Sequence, residues 1–163
     1  MSKSVARVER AALQAGLAVE VVRMPDSTRT AAEAAQACGC DVGQIVKSLI
    51  FEGAQSGALI LLLVNGAQNV DLSQAERLLG EGLVRADPKR VRAETGFAIG
   101  GVAPIGHLCA VVTWIDPALL QHDRVWAAAG APNAVFAIDP GALRAATGAR
   151  LLPEGMVTSG KSG

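Results

Sequence analysis

The sequence predicts a single α+β domain: a mixed, largely antiparallel sheet with flanking helices. Its 163 residues fit one domain. Amphipathic helical segments alternate with short apolar runs, and two of these runs are close enough to form a hairpin. Half of the residues are apolar but only 3% are aromatic, so we expect an aliphatic core. We expect this domain to span residues 1–152 and a flexible tail to follow over residues 153–163.

Charge narrows the class of protein. The 15 basic and 15 acidic residues exclude a strongly basic protein that coats nucleic acid, although contact with the end of a tRNA is compatible with this balance. The densest basic cluster consists of Arg85, Lys89, Arg90 and Arg92. This cluster is typical either of a solvated helix face or of a footprint for phosphates.

Cysteine usage and the first residues indicate the compartment. The three cysteines, Cys38, Cys40 and Cys109, are an odd number without a framework spacing. No apolar signal region follows the charged start of the chain, and the longest apolar run, Ala58–Val64, is too short to span a bilayer. We therefore expect a protein of the reducing cytoplasm that does not enter membranes.

The first segment reads as an amphipathic helix over Ser4–Gly16. Its predicted buried face carries Val5, Val8, Ala12 and Leu13. A short strand over Val19–Arg23 and a polar turn over Pro25–Arg29 should follow.

A second helix is predicted over Ala31–Cys38. Thr30 can cap it, with Glu33 three residues later as the partner of a capping box, and Gly39 should end it.

Two apolar runs, Ile45–Glu52 and Ala58–Asn65, predict a hairpin around the turn Gly53–Gly57. The second run does not alternate between apolar and polar residues. We therefore expect it to lie in the middle of the sheet, buried on both faces.

Two helices are predicted in the middle of the chain. The first covers Ser73–Leu79, capped by Ser73 and closed by Gly80. The second begins at Asp87 and Pro88 and closes at Gly96.

The last third reads as three strands and a helix. The strands are predicted over Cys109–Ile115, Arg124–Ala128 and Ala134–Ile138, and the helix from Pro140 to Gly148.

Lys47 lies on the first strand of the hairpin. Alternation places it on one face with Ile45, Leu49 and Phe51. A charge on so apolar a face is costly unless the ammonium reaches a polar cavity or a partner. The pattern is typical either of a lysine that extends to water at a sheet edge or of one that lines a pocket.

The segment Gly100–His107 predicts an irregular, preformed loop. Its glycines permit positive φ and close approach of a ligand, and Pro104 stiffens the backbone. Such a loop is either an ordinary turn or a site that aims several N–H groups at one oxygen. His107 is a candidate for proton transfer or, alternatively, a loop histidine that bonds a nearby carbonyl.

Weaker patterns remain beside these two. Cys38 and Cys40 are spaced like metal ligands, but no second pair lies near them. Cys109 and His107 would share a face of a strand, without an evident third group to orient them. Gly155–Ser162 matches a phosphate-loop pattern but lacks the helix that such a loop requires.

Together, the lysine strand and the glycine loop carry a resemblance. The segment QIVKSL, Gln44–Leu49, precedes GGVAPIG, Gly100–Gly106, by about fifty residues. In this order and spacing, the two segments resemble the YbaK/prolyl-tRNA-synthetase editing-domain family. Further matches over residues 4–150 are STRTAAEAA, VDLSQAERLLG and VWAAAGAPNAVFAIDPGAL.

The resemblance implies a compact mixed-sheet domain that hydrolyses mischarged aminoacyl-tRNA, often tRNA(Pro), without a metal or an organic cofactor. The family's lysine corresponds to Lys47, and its GxxxP loop to Gly100, Gly101, Val102, Ala103 and Pro104. Substrate contacts are expected at Thr30, Gly106, His107, Gly130 and Asn133. The chain resembles the free-standing members, which act in trans, so its expected partners are the acceptor end of an aminoacyl-tRNA and, transiently, a synthetase.

The resemblance leaves several substrates open. Family members remove Ala, Cys, Ser, Thr or 2-aminobutyrate. The segment AGAPNAVF differs from the Cys-removing type, and GVAPIGH is closer to members that remove Ala or slightly larger aliphatic or hydroxy residues. A non-catalytic module that binds aminoacyl-tRNA or a protein through the same pocket is the alternative, and a metal hydrolase is a third class.

The resemblance also suggests a mechanism. N–H groups of the Gly100–Pro104 loop would hold the ester oxygen, and Lys47 would anchor the terminal phosphate or ribose or polarise the ester. A ribose hydroxyl would activate the water.

Overall fold

The structure is a computed structural model that describes residues 3–24 and 30–159. Its α-helices are α1 Lys3–Gln14, α2 Ala31–Cys38, α3 Ala75–Leu79, α4 Pro88–Thr95 and α5 Pro140–Thr147. Its strands are β1 Val21–Arg23, β2 Val46–Gly53, β3 Leu59–Asn65, β4 Gln68–Val70, β5 Leu83–Arg85, β6 Val112–Ile115, β7 Val125–Ala128, β8 Ala134–Ile138, β9 Arg150–Leu151 and β10 Val157–Ser159. Short 3₁₀ helices occupy Val42–Gln44, Leu72–Gln74 and Pro117–Gln121.

The buried face of α1 is narrower than the sequence predicts. Val5, Val8 and Ala12 are buried as predicted, but Leu13 is 77% exposed. A step of five residues from Val8 turns Leu13 by roughly 140° around the helix, away from the core. The prediction for Leu13 is therefore wrong.

The predicted start of α2 is confirmed. Thr30 accepts a hydrogen bond from the N–H of Glu33, and the Glu33 carboxylate accepts one from the N–H of Thr30, which completes the capping box. Gly39 ends the helix in the left-handed conformation. The turn predicted over Pro25–Arg29 lies outside the described residues.

The cap predicted at Ser73 is wrong. The chain enters a 3₁₀ turn at Leu72, and the carboxylate of Asp71 accepts from the N–H of Ser73. α3 begins only at Ala75. The carboxylate captures a donor two residues later and so starts the helical segment earlier than the sequence pattern indicates.

The predicted hairpin is confirmed as β2 and β3, which pair antiparallel from Val46 opposite Asn65 to Glu52 opposite Leu59. The strands form a five-stranded sheet in the order β5-β2-β3-β6-β9, a three-stranded sheet in the order β1-β8-β7 and a ribbon of β10 with β4. Among the described residues the pairings with β6 are parallel and the remaining ones antiparallel. The α+β class with a largely antiparallel arrangement is confirmed, although its strands are divided among three sheets.

β3 separates two apolar clusters, so every one of its residues is buried. Leu61 and Leu63 face a main core that includes α1, the glycine loop and the inner face of the three-stranded sheet. Ile60 and Leu62 face a smaller cluster with α3 and Met156. The absence of alternation in this run follows from its burial on both faces.

Several short strands were not predicted from the sequence pattern, or were predicted with other bounds. β6 begins at Val112 rather than Cys109, and β4, β5 and β9 are only two or three residues long. Such lengths are too short for a period of two to be recognised.

The tail also differs from its prediction. It contains β10, which pairs with β4, and Met156 is fully buried in the smaller cluster. The prediction of a flexible tail that begins at Pro153 is therefore wrong as far as Ser159. None of the helices in the described ranges has the length and apolar character needed to cross a membrane.

Candidate active site

A cavity of about 260 Å³ opens along the free edge of β2. β5 pairs with β2 only at its end, from Phe51 to Gly53. The edge before Phe51 instead approaches β7, through a bridge between Ile45 and Trp126. This space, called here the β2 cavity, is lined by Thr30, Ala31, Ala34, Ile45, Val46, Lys47, Ser48, Leu49, Gly100, Val102, Trp126, Ala127, Ala128, Ala131, Pro132 and Val135.

Most of the lining side chains are small and apolar. Alanines come from α2, from β7 and from the turn after β7, while the polar side chains are those of Thr30, Lys47 and Ser48. An apolar space with a few polar groups is typical of a small-molecule site.

The ammonium of Lys47 is held by β4. It donates to the backbone carbonyl of Gln68 and, at 3.4 Å, to Oδ1 of Asn69. Burial lowers its pKa below the ordinary value for lysine. The register confirms the predicted face shared with Leu49 and Phe51.

That face is the one opposite the glycine loop. Val102 and Ala103 of the loop pack in the main core, whereas Lys47 shares its face with the smaller cluster. Lys47 and the loop nevertheless line the same cavity, because it reaches around the free edge of β2.

Ser48, which the sequence analysis did not select, projects toward the loop side. It alternates with Lys47 and shares the face of Val46 and Ile50, which belong to the main core. Its Oγ is buried and has no hydrogen-bond partner among residues 3–24 and 30–159. A single hydroxyl among apolar neighbours on an alternating strand is the sequence signal that could have identified it.

The glycine loop enters through a tight turn. The N–H of Gly101 donates to the carbonyl of Ala98 at 2.9 Å, and Gly100 has a φ of +95°. Positive φ at the third residue of such a turn favours glycine. Because Gly101 uses its N–H within the turn, that group is not free to bind a substrate oxygen.

The N–H groups of the next two residues, unlike that of Gly101, are not used in a hydrogen bond of the turn. Val102 and Ala103 are buried, and within the described part of the chain their N–H groups have no acceptor. Buried backbone donors are usually paired, so unpaired ones beside a cavity are candidate binding groups. The loop itself rests on the turn after β7, where a Cβ placed on Gly101 would lie 3.5 Å from Ala131.

The far end of the loop faces a second space, the rear cavity, of about 380 Å³. Pro104, Gly106 and His107 line it, together with residues of α1 and α5, and none of the three lines the β2 cavity. The structure therefore divides the predicted GxxxP segment and its neighbours between two spaces.

His107 braces the loop from behind. A carbonyl only accepts, so Nε2 of His107 donates its hydrogen to the carbonyl of Ala103, at 2.7 Å. The ring meets Phe97 edge-on at 5.9 Å. Burial lowers the pKa of His107, and the bond to Ala103 opposes this shift only partly. Of the two alternatives for His107, the loop histidine that bonds a carbonyl is the one observed.

Gly130 and Asn133 flank the cavity wall but do not line it. Gly130 has a φ of +97°, and a Cβ there would lie 2.8 Å from the carbonyl oxygen of Ser4. The carbonyl of Asn133 accepts from the N–H of Met24 at 2.7 Å. Their neighbours Ala131 and Pro132 form the wall itself, as does the predicted Thr30.

The weaker patterns are not brought to this site. Burial raises the pKa of Cys38 to about 11 and also raises that of Cys40, while Cys109 is exposed. No group of three or more potential metal ligands is found among the described residues. The phosphate-loop pattern contains β10, and its last residues lie outside the described ranges.

The basic cluster lies on β5 and α4, and its members do not line the β2 cavity. Arg90 is paired with Glu94 at 2.5 Å and with Glu52 at 3.4 Å, and the other three are exposed.

Comparison with known proteins shows which family the sequence matches. A sequence model of the aminoacyl-tRNA editing domain matches residues 25–146. A solved structure described as that of a candidate trans-editing enzyme for prolyl-tRNA synthetase is 49% identical, with a TM-score of 0.86, over 93% of this chain and 96% of the other.

Curated proteins are more distant. The uncharacterised protein YwhH of Bacillus subtilis is 28% identical over 121 residues, 74% of this chain and 76% of the relative. EbsC of Enterococcus faecalis, described as a candidate Cys-tRNA(Pro)/Cys-tRNA(Cys) deacylase, is 26% identical over 69% of this chain and 73% of the relative.

Proposed function

The chain belongs to the aminoacyl-tRNA editing domain family, and from this premise we propose that it deacylates mischarged aminoacyl-tRNA in trans. The observation that carries the proposal is the β2 cavity, where Lys47 lines the same small space as Val102 of the glycine loop, whose N–H has no acceptor among the described residues. The proposed substrate is a small amino acid on tRNA(Pro) or a related tRNA. A transient contact with the synthetase is part of the proposal.

The loop would stabilise the charge that develops on the ester oxygen. Attack of water on the ester carbonyl produces an oxyanion, and preorganised N–H groups lower the barrier by about 3 kcal/mol for one donor. The proposed donors are the N–H of Val102, which lines the cavity, and that of the next residue, Ala103; neither has an acceptor among the described residues, whereas Gly101 donates to Ala98. His107 holds the carbonyl of Ala103 from the rear cavity and so keeps the loop in this orientation.

Lys47 would anchor the substrate rather than accept a proton. Its ammonium donates to Gln68 and Asn69 at the edge of the cavity, and a phosphate or ribose oxygen of the tRNA end can replace one of these acceptors. A protonated lysine has no lone pair to act as a base. The neighbouring ribose hydroxyl of the substrate would then activate the water.

The size of the cavity supports a small side chain. About 260 Å³ must hold both the aminoacyl group and part of the ribose, and five of the sixteen lining residues are alanines. Ala, 2-aminobutyrate, Ser, Thr and Cys are the candidates. Discrimination among them would be modest, since one methylene is worth only about 1–3 kcal/mol.

The direct test is a panel of mischarged tRNAs, assayed with the wild type and with Lys47→Ala. Loss of a hydrogen bond to a charged group predicts a fall in kcat/KM of about 10- to 150-fold. Lys3→Ala, which removes an exposed lysine of α1, is the matched control and should react like the wild type. Equal rates for Lys47→Ala and the wild type would remove Lys47 from the mechanism.

The same panel decides between the proposed enzyme and the non-catalytic module. Binding of aminoacyl-tRNA without turnover on any member of the panel would establish the module instead. Inhibition by a chelator would indicate a metal hydrolase.

A further inference from the structure

The three-stranded sheet has an unusually apolar outer face. The buried residues Val125, Ala127 and Phe136 mark its inner face, in the main core. By register, the opposite face carries Val22, Trp126, Ala128, Val135 and Ala137. A sheet face open to water normally alternates to polar residues, so a face without them is expected to be covered.

Residues 3–24 and 30–159 cover only part of this face. Ala128 and Val135 of this face line the β2 cavity together with Ala31 and Ala34 of α2. The remaining part, around Trp126, Ala137 and Val22, borders a depression of about 420 Å³. Val22 remains 38% exposed there. This space is called here the Trp126 depression.

Trp126 lines both spaces, so the β2 cavity and the Trp126 depression adjoin. The rear cavity, by contrast, shares no lining residue with the β2 cavity. Any molecule that is anchored in the β2 cavity and extends past β7 therefore meets the indole of Trp126.

The charges of the depression indicate what it accepts. Glu20, Asp123 and Asp139 bring three carboxylates to its wall, against the one guanidinium of Arg124. This excess of negative charge disfavours a phosphate. Carboxylate oxygens accept from N–H donors, and an indole offers a flat surface for stacking. A neutral aromatic heterocycle with an exocyclic amine matches both features.

We propose that the terminal adenine of the tRNA stacks on Trp126 in this depression, with its amino group toward the carboxylates. The inference rests on the proposed function, because the base and the aminoacyl ester are attached to the same ribose and must occupy adjoining spaces. Every tRNA ends in this nucleoside. The indole of Trp126, called here the Trp126 platform, thus supplies affinity common to all tRNAs. The choice of amino acid is left to the β2 cavity.

Kinetics test the platform. Stacking of one base contributes enough that Trp126→Ala should raise KM for a mischarged tRNA by about 5- to 150-fold while kcat is largely retained. Trp126→Phe preserves an aromatic face and should recover most of the loss. Trp114→Phe is the control, since Trp114 lies on β6 with the guanidinium of Arg150 5.8 Å from its ring centre.

Fluorescence tests the contact without turnover. The chain has two tryptophans, so Trp114→Phe leaves Trp126 as the single reporter and Trp126→Phe leaves Trp114. Adenosine 5′-monophosphate should quench the first protein and not the second. Ribose 5-phosphate, which lacks the base, should quench neither.

The outcomes separate the two proposals. If the wild type deacylates mischarged tRNA but Trp126→Ala keeps its KM and the nucleotide causes no selective quenching, the platform is refuted and the deacylase stands. If no mischarged tRNA is hydrolysed by the wild type, the proposed function fails first. If Trp126→Ala lowers the rate of deacylation only when a synthetase is present, Trp126 contacts the synthetase. That result would overturn the proposal that Trp126 binds the terminal adenine.

Discussion

Ser48 carries a buried hydroxyl that no described residue satisfies. An unpaired buried hydroxyl is a cost to the folded state and needs an explanation. Its place on the wall of the β2 cavity supplies one, because the amino group or the hydroxyl of an aminoacyl ester can bond it there.

We therefore predict opposite effects of Ser48→Ala on stability and activity. Removal of the unsatisfied group should leave the free energy of unfolding unchanged or raise it by up to about 1 kcal/mol. The value of kcat/KM for deacylation should fall by roughly tenfold, because the substrate loses a partner. Urea unfolding and single-turnover deacylation measure the two quantities. A loss of stability with intact kinetics would make Ser48 a packing residue.

His107 predicts a dependence of stability on pH. Its pKa in the folded chain lies below the ordinary value of 6.5, so the unfolded chain binds more protons between these two values. The contribution of His107 to the free energy of unfolding is therefore complete above pH 6.5, and it declines as the pH falls toward the pKa of His107 in the folded chain.

Urea unfolding at pH 7.5 and pH 5 should show this decline, and His107→Gln should reduce it while still donating to Ala103. His122→Gln, which changes the remaining histidine, is the control and should keep the decline. An identical decline in all three proteins would assign it to carboxylates instead.

The capping box of α2 connects helix stability to the cavity wall. Thr30 closes the box with Glu33, and the first turn of this helix presents Ala31 and Ala34 to the β2 cavity. Loss of an N-cap costs about 1 kcal/mol and frays that turn.

Thr30→Ala should lose about this amount of stability and also lower kcat/KM, whereas Thr30→Ser should keep both. Asp87→Ala removes the cap of α4, which does not line the cavity, and should lose similar stability with unchanged kinetics. Thermal unfolding and deacylation assays compare the three variants. Normal activity of Thr30→Ala would separate the helix start from the site.

The glycine loop illustrates how one irregular segment serves two spaces. In its first half, Gly100 and Val102 line the β2 cavity, and the N–H of Val102 has no acceptor among the described residues. Its second half packs on α1, where a Cβ on Gly106 would lie 3.3 Å from the carbonyl oxygen of Arg7. Composition predicts the loop and its stiffness, but the division between two cavities depends on helices that are distant in sequence.

The last strand connects the end of the described chain to the site. β10 pairs with β4, and the carbonyl of Gln68 in β4 accepts from the ammonium of Lys47. Met156, fully buried just before β10, also accepts from the N–H of Asp71 through its carbonyl. The segment predicted to be a flexible tail therefore supports the position of the lysine.

A chain that ends at Pro153 should lose about 2–5 kcal/mol of stability, because it lacks Met156 and the partner of β4. Its deacylation should fall even at temperatures where it remains folded. A chain that ends at Ser159 retains β10 and is the control. Full activity of the shorter chain would show that β4 holds Lys47 without its partner.

Local chemistry determined much of this protein from the sequence alone. The capping box at Thr30, the helix starts at Pro88 and Pro140 and the turn of the hairpin depend on neighbours within a few residues, and the burial of β3 on both faces was predicted from the composition of one contiguous run. The fold class, the family resemblance and the choice of Lys47 and the glycine loop as candidate groups were predicted for the same reason. Each rests on short segments whose residues can be recognised without knowing how the segments pack.

Only the tertiary structure decided which groups face the cavity and which do not. Four features each require segments far apart in the chain: the hydroxyl of Ser48 without a partner among the described residues, the hydrogen bond from Lys47 to Gln68, the place of His107 at the rear cavity, and the position of Trp126 between two spaces. The physical reason is that a polar group's state depends on the partners that burial leaves within hydrogen-bond distance. Alternation along a strand specifies a side chain's face but not what the fold places opposite it.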